Sequence, residues 1–247
     1  MKTRRFLLLS AIAIFTASAA CAADETVFAT ANQAYDEKRF QEAAVGYESL
    51  VQSGKSNATL FYDLGNAYYR LGNFGKAILN YERALALEPR HPEAQANLRL
   101  ALDEARALEL RKDRIERYAG MATVKQYSIA AAVACWLGLF IAAHLLLSRR
   151  RSLGGIALIA LGLVICGGSI FAIYTLENGT RGHALAVVTA KEIEARLATA
   201  DNAKSVLLLP AGSEIKILSD RGDWIYVALP NDQRGWIPAT SAERVRM

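Results

Sequence analysis

Cysteine is scarce in this chain: three among 247 residues, Cys21, Cys135 and Cys166, each inside an apolar run. That excludes a disulfide scaffold and a thiolate zinc site from any water-exposed part. Histidine is as rare, and His91, His144 and His183 stand far apart. G-x-S-x-G, P-loop and H-E-x-x-H motifs are all missing, and no acid pair sits in a recognisable catalytic setting. The sequence therefore reads as no enzyme, with no metal site and no cofactor. A charge surplus in the water-exposed parts is missing too. The formal net charge is +5, but residues 24–126 carry 14 basic and 15 acidic side chains, and residues 177–247 carry nine of each. The excess sits at Lys2, Arg4 and Arg5 and at Arg149, Arg150 and Arg151, beside apolar runs where positive charge sets membrane orientation. The regions able to fold in water are near neutral, so no nucleic-acid partner is expected.

What the chain has in quantity is apolar sequence, at 53% of residues, too much for one ordinary soluble domain. Lys2 to Arg5 followed by the apolar Phe6 to Ala19 fits a secretory signal peptide over 1–23. Ala17-Ser18-Ala19 and Ala20-Cys21-Ala22 both fit an A-x-A cleavage site. Ser18-Ala19-Ala20-Cys21 also resembles a lipobox, which would make Cys21 a lipidation site, although that pattern prefers Leu where Ser18 stands. Further on, Tyr127–Leu147 and Leu153–Leu176 contain no Asp, Glu, Lys or Arg. Each is long enough to cross a ~30 Å hydrocarbon core at ~1.5 Å per residue. The linker 148–152 is too short for anything but a helical hairpin, and its three arginines place it in the cytoplasm. Both flanking regions then lie outside. Ala130, Ala134, Gly138 and Ala142 form a small-residue stripe on the first span. Gly155, Gly162, Cys166 and Ser169 form one on the second. Such stripes pack closely, either against each other or against a partner's helix.

Residues 24–120 show a period instead of strand alternation. Phe61-x2-Leu64-Gly65-x2-Tyr68, Ala77-x3-Tyr81, Ala84 and Pro89 follow the tetratricopeptide (TPR) pattern, which repeats every ~34 residues. One period back lie Ala31, Ala43, Tyr47 and Leu50, with Val27 and Thr30 in place of the large apolar pair. The reading is two repeats, about 24–57 and 58–91, and a capping helix over 92–117. The resemblance implies a scaffold whose first helices line a concave face. Phe28, Asn32 and Tyr35, and Tyr62, Asn66 and Tyr69, take those positions. Each trio falls on one helical face at i, i+4, i+7. Asn can bond a peptide backbone and Tyr offers flat contact area; both also fit a packing or solvated role. Glu93 and Asn97 stand where a carboxylate clamp has cations, so a C-terminal carboxylate ligand is not expected.

Residues 181–247 switch to alternation, as in Glu214-Ile215-Lys216-Ile217, with turns at Pro210-Ala211-Gly212, Asp220-Arg221-Gly222-Asp223 and Pro230-Asn231-Asp232. Ala186-Val187-Val188, Gly222-Asp223-Trp224 and Gly235-Trp236-Ile237-Pro238 resemble the bacterial SH3 (SH3b) family, which implies a small closed all-β barrel. Lys191 to Ala200 reads as partly helical. Trp224, Tyr226 and Trp236 are candidates for an aromatic ligand surface, with at least one, Trp236 foremost, expected in the core.

The order of signal peptide, TPR array, two-span hairpin and SH3b module resembles the BatE-type component of the bacterial Bat aerotolerance operon. The resemblance implies a multi-pass protein of the bacterial inner membrane with both large domains periplasmic. It implies work with Bat proteins carrying von Willebrand factor A domains and with a MoxR-type ATPase. On this reading the chain is a multidomain membrane protein. An all-α TPR solenoid, a transmembrane hairpin and an SH3-like barrel recruit protein partners without catalysis. Two alternatives stand beside it. In one, SH3b grips peptidoglycan and TPR is a spacer; in the other, the spans modulate a transporter or signalling enzyme.

Overall fold

The computed structural model describes residues 24–111, 114–148, 152–180, 182–200 and 202–246. The expected signal peptide with Cys21, and the basic turn Arg149–Arg151, lie outside the described residues. Five helices open the fold: α1 over 24–36, α2 Phe40–Gln52, α3 Ala58–Arg70, α4 Phe74–Leu87 and α5 Pro92–Ala105. Their starts follow from local chemistry. The side chains of Asn57 and Asn73 cap α3 and α4, accepting from the backbone N–H of Leu60 and Lys76. Pro92 opens α5, where its missing N–H costs nothing. Leu60, Phe61 and Leu64 of α3 and Ala77, Tyr81 and Ala84 of α4 are buried in one core. A Cβ on Gly65 would stand 2.7 Å from the Tyr81 ring, so the two helices meet through that glycine.

The expected capping helix over 92–117 is corrected. α5 stops at Ala105, where Arg106 adopts a left-handed conformation with φ 50°. Residues 107–111 then run without helix, and α6 follows at Arg114–Ala119. The cause is tertiary. Leu108 and Leu110 are half-buried while Glu109 and Arg111 are exposed, a period of two that a helix cannot present to one surface. The strap is tied to the C-terminal sheet. The N–H of Glu214 donates to the Leu108 carbonyl at 2.8 Å, and the N–H of Leu110 donates to Glu214 Oε2 at 3.0 Å.

Helices α7 (Val124–Ser148) and α8 (Leu153–Asn178) are long and apolar enough to cross a membrane. They pair as a hairpin. A Cβ on Gly162 would lie 3.3 Å from the Ala134 carbonyl oxygen, so the two small-residue stripes meet there.

The C-terminal region holds β1 Leu185–Val188, β2 Glu192–Arg196, β3 Ser205–Pro210, β4 Glu214–Arg221, β5 Trp224–Ala228, β6 Arg234–Pro238 and β7 Ala242–Arg244. They form one antiparallel sheet in the order β3-β2-β6-β5-β4-β1-β7. The sheet is open, with β3 and β7 as edges, and a closed barrel is not found. The register shifts at Ala195/Arg196, and β2 meets β6 only at Arg196 and Trp236. The helical expectation for 191–200 is overturned by β2, where Ala195 is buried and Glu192 and Glu194 are exposed. The expectation of a core tryptophan is overturned as well. Trp224, Tyr226 and Trp236 are half-exposed and alternate with the buried Ile225, Val227 and Ile237. The branched aliphatic residues take the inner face, and the aromatics are left outside.

The helical array and the sheet share a core. Leu185, Val187 and Val245 pack with the helices, while Ala186 and Val188 pack inside the sheet. β1 is therefore buried on both faces. It docks on α4 beside Gly75, where an added Cβ would stand 2.9 Å from the Val188 carbonyl oxygen. Arg83 Nη2 donates to the Arg244 carbonyl at 3.1 Å and pairs with Glu243 at 3.2 Å. Ile78 is fully buried against the turn before β4. At that turn Gly212 has φ +82° and a Cβ would fall 2.2 Å from Ile78 Cδ1, whereas Gly222 has φ +67° with nothing within 4 Å. Both Gly→Ala changes carry the left-handed cost of ~1–2 kcal/mol. Gly212→Ala adds an overpacking cost of ~1–3 kcal/mol. Thermal melts of the full chain in detergent should therefore show the larger Tm loss for Gly212→Ala. Equal losses would mean that Ile78 does not press on this turn.

Candidate functional site

The groove is built by α1, α3 and α5, and each repeat makes it with the same clamp. Tyr47 Oη donates to Asn32 Oδ1 at 2.6 Å, and Tyr81 Oη donates to Asn66 Oδ1 at 2.9 Å, both pairs 15 residues apart. Ring contacts repeat in step. Phe28 meets Tyr47 at 5.7 Å and Tyr62 meets Tyr81 at 6.2 Å. Tyr35 meets Phe40 edge-on at 5.2 Å, and Tyr69 meets Phe74 edge-on at 5.6 Å. The six residues expected on the concave face thus form two equivalent trios, each fixed to the second helix of its own repeat. Burial pushes the Tyr47 and Tyr81 phenols above their ordinary range, so both remain hydrogen-bond donors.

α5 closes the far side. Asn97 Nδ2 donates to Asn66 Oδ1 at 2.9 Å and to Tyr62 Oη at 3.3 Å, and the Tyr62 ring lies 4.9 Å from that of His91. A cavity of about 180 Å³ opens between Tyr35, Asn66, Tyr69, Arg70, Tyr81, Asn97 and Leu100. The asparagines are therefore half committed. Their carbonyl oxygens are held by tyrosines, while the amide N–H groups of Asn32 and Asn66 have no hydrogen-bond partner among the described residues. What the groove offers a ligand is donors.

It also offers one carboxylate. Asp63 follows Tyr62 on α3 and is half-buried. Burial raises its carboxyl to about 6, opposed by His91. It makes no hydrogen bond or ion pair among the described residues. Asp63, Asn66 and Arg70 share one helical stripe at i, i+3, i+7, and the Arg70 guanidinium is drawn aside over the Phe40 ring at 4.9 Å. Sequence reasoning missed Asp63 because the aromatic residues on either side of that stripe carried the pattern.

A second surface lies on the outer face of the sheet. Tyr226 and Trp236 are cross-strand neighbours with ring centroids 4.9 Å apart, and the Arg221 guanidinium sits 5.1 Å over Trp236. Trp224 pairs with Arg221 across β4 and β5. The structure thus gathers the three aromatics, as a surface patch.

Asp63 gives a pH signature. Its folded-state pKa of about 6 lies above the ~4 of an unfolded aspartate. The folded state therefore takes up the proton first, and stability rises as pH falls from about 6 to about 4. Asp63→Asn should flatten that slope and raise stability at neutral pH, read from denaturant unfolding of the full chain across this range. A slope unchanged in the variant would assign it to another group.

The family profile described as tetratricopeptide repeat matches residues 58–91, the span of α3 and α4. No curated protein matches this chain. Residues 58–91 thus constitute a tetratricopeptide repeat, followed by two membrane-capable helices and an antiparallel sheet.

Proposed function

We propose that the chain is a membrane-anchored, non-enzymatic scaffold whose helical groove seats a segment of a protein partner. One observation carries this reading. Asn66 lines the cavity between α1, α3 and α5, and the Asn32 and Asn66 amides and the Asp63 carboxylate have no partner among the described residues, while the sheet covers α4 from the other side. The amides suit backbone carbonyls of a bound segment. Asp63 suits a basic side chain, because a desolvated carboxylate gains most from a cation brought to it. Two repeats and one further helix make a shallow groove, so affinity for a free peptide is modest, and a membrane partner adds avidity.

The anchor is the α7–α8 hairpin. The three arginines of its turn favour the cytoplasm, which puts the groove and the sheet together on the periplasmic side of a bacterial inner membrane. The order of segments supports a Bat-type complex as the setting and SH3b as the kind of sheet module. The tilted ring pair of Tyr226 and Trp236 beside Arg221 favours a second reading, in which this patch grips peptidoglycan or a second partner segment.

Two experiments test the proposal. Full-length protein in nanodiscs is equilibrated with random decapeptide pools that differ in one fixed central residue: Arg, Gln or Glu. The Arg pool should be retained ~10-fold over the Glu pool, the scale of one charge-assisted contact, and Asp63→Asn should erase the ratio. Retention of no pool would overturn the groove as the recognition surface, and equal retention would overturn only the cationic preference. For sidedness, alkaline phosphatase fused after Gln126 or after Met247 should be active, and fused after Arg151 inactive. An active fusion at the turn would invert the topology.

A further inference from the structure

We propose that the cleft between α6, the last turns of α8 and the sheet seats the headgroup of a membrane phospholipid that carries both a phosphate and a primary ammonium. This rests on the reading of α7 and α8 as membrane spans. The cleft encloses about 550 Å³. Its depth follows from the helix. α8 starts at Leu153 beside the basic turn, and at ~1.5 Å per residue Phe171 lies ~27 Å along it and Asn178 ~38 Å along it. A ~30 Å hydrocarbon core therefore ends within these turns, and the cleft opens at headgroup level.

The lining combines apolar and charged side chains: Ile115, Phe171 and Tyr174 with Glu177, His183 and Lys216. α6 and the residues after it add apolar surface. Ile115 is 50% exposed and Tyr118 71%, with Met121 just beyond at 79%, side chains suited to an interface and without cover among the described residues. Glu116 of α6 is consumed in fastening the cleft. Its two carboxylate oxygens accept from the Thr180 N–H at 3.0 Å and the Thr180 hydroxyl at 2.7 Å.

Two charges remain for a ligand. Lys216 Nζ donates to the Asn178 carbonyl, leaving two of its three protons. The backbone carbonyl of Glu177 accepts from the His183 N–H at 3.0 Å, but its carboxylate makes no hydrogen bond or ion pair among the described residues. A headgroup phosphate satisfies the first and an ammonium the second. A headgroup with only a phosphate leaves Glu177 unpaired beside an anion. The observed pair of opposite charges therefore selects phosphatidylethanolamine over phosphatidylglycerol.

The test uses full-length protein in nanodiscs of equal phosphatidylethanolamine and phosphatidylglycerol, with retained lipid read by native mass spectrometry. The wild type should retain phosphatidylethanolamine ~10-fold over phosphatidylglycerol, the scale of one charge-assisted contact. Glu177→Gln, at a side chain with no partner to lose, should bring the ratio close to one. Lys216→Gln should lower retention of both lipids, and Lys216→Arg should restore it. Equal retention by the wild type, or an unchanged ratio in Glu177→Gln, would overturn the headgroup site. Failure of the protein to enter nanodiscs would instead overturn the membrane reading. Equally tight binding of soluble phosphoethanolamine by a lipid-free preparation would overturn the assignment to lipid.

Discussion

Helix α4 is buried on two sides at once, and the rest of the helical and sheet region depends on that. Ala77, Tyr81 and Ala84 turn toward α3, and Gly75, Ile78 and Arg83 turn toward the sheet. Ile78, Leu79, Tyr81 and Ala84 are at most 1% exposed, which is unusual for a helix in so small an array. The first contact builds the groove, because Tyr81 reaches between helices to hold Asn66. The second removes the other side of the helix pair from solvent and leaves the face of α1, α3 and α5 as the open one. It also explains β1. A strand buried on both faces needs apolar residues at every position, and Leu185-Ala186-Val187-Val188 supplies them. Neither module is a free-standing unit, since the sheet lends Leu185, Val187 and Val245 to the helical core.

Periodic features were legible in the sequence, and features created by contact between distant segments were not. The second repeat could be read residue by residue, because each small or large position answers one neighbour, as Gly65 answers Tyr81. The first repeat looked weaker, since Val27 and Thr30 replace its large apolar pair. Yet α1 forms and packs through small residues. Ala31 and Ala34 are buried, and a Cβ on Gly46 would stand 2.9 Å from that of Ala31. The strap 107–111 escaped because its alternation is short and its partner, β4, lies about a hundred residues away. The aromatic patch of Trp224, Tyr226 and Trp236 was legible, but the expectation that one of them lies in the core fails, because bulk alone does not decide burial. In a sheet the inner face goes to the side chains that fit it, and here Ile225, Val227 and Ile237 fill it. Asp63 escaped for a related reason. A polar residue on a helix face looks solvated until its neighbours are known.

The strap, α6 and the α8 end together decide what kind of anchor this is. A flexible linker between α5 and α7 would let the groove sample a wide volume above the membrane. Here the chain between them is fastened twice. Leu108 and Leu110 are bonded to Glu214 and Ser213 of the sheet, and Glu116 is bonded to Thr180 beyond α8. On the proposed membrane reading, both routes from the hairpin into the helical and sheet region are held, and the groove keeps a fixed height and heading above the bilayer. For a soluble peptide that rigidity brings nothing. For a partner that also spans the membrane it confines the encounter to two dimensions and one orientation, which raises the effective concentration without any new contact. On the proposed reading a shallow groove of two repeats is then sufficient, and the selectivity left to it reduces to the groups without a partner among the described residues: two amide donors and one carboxylate.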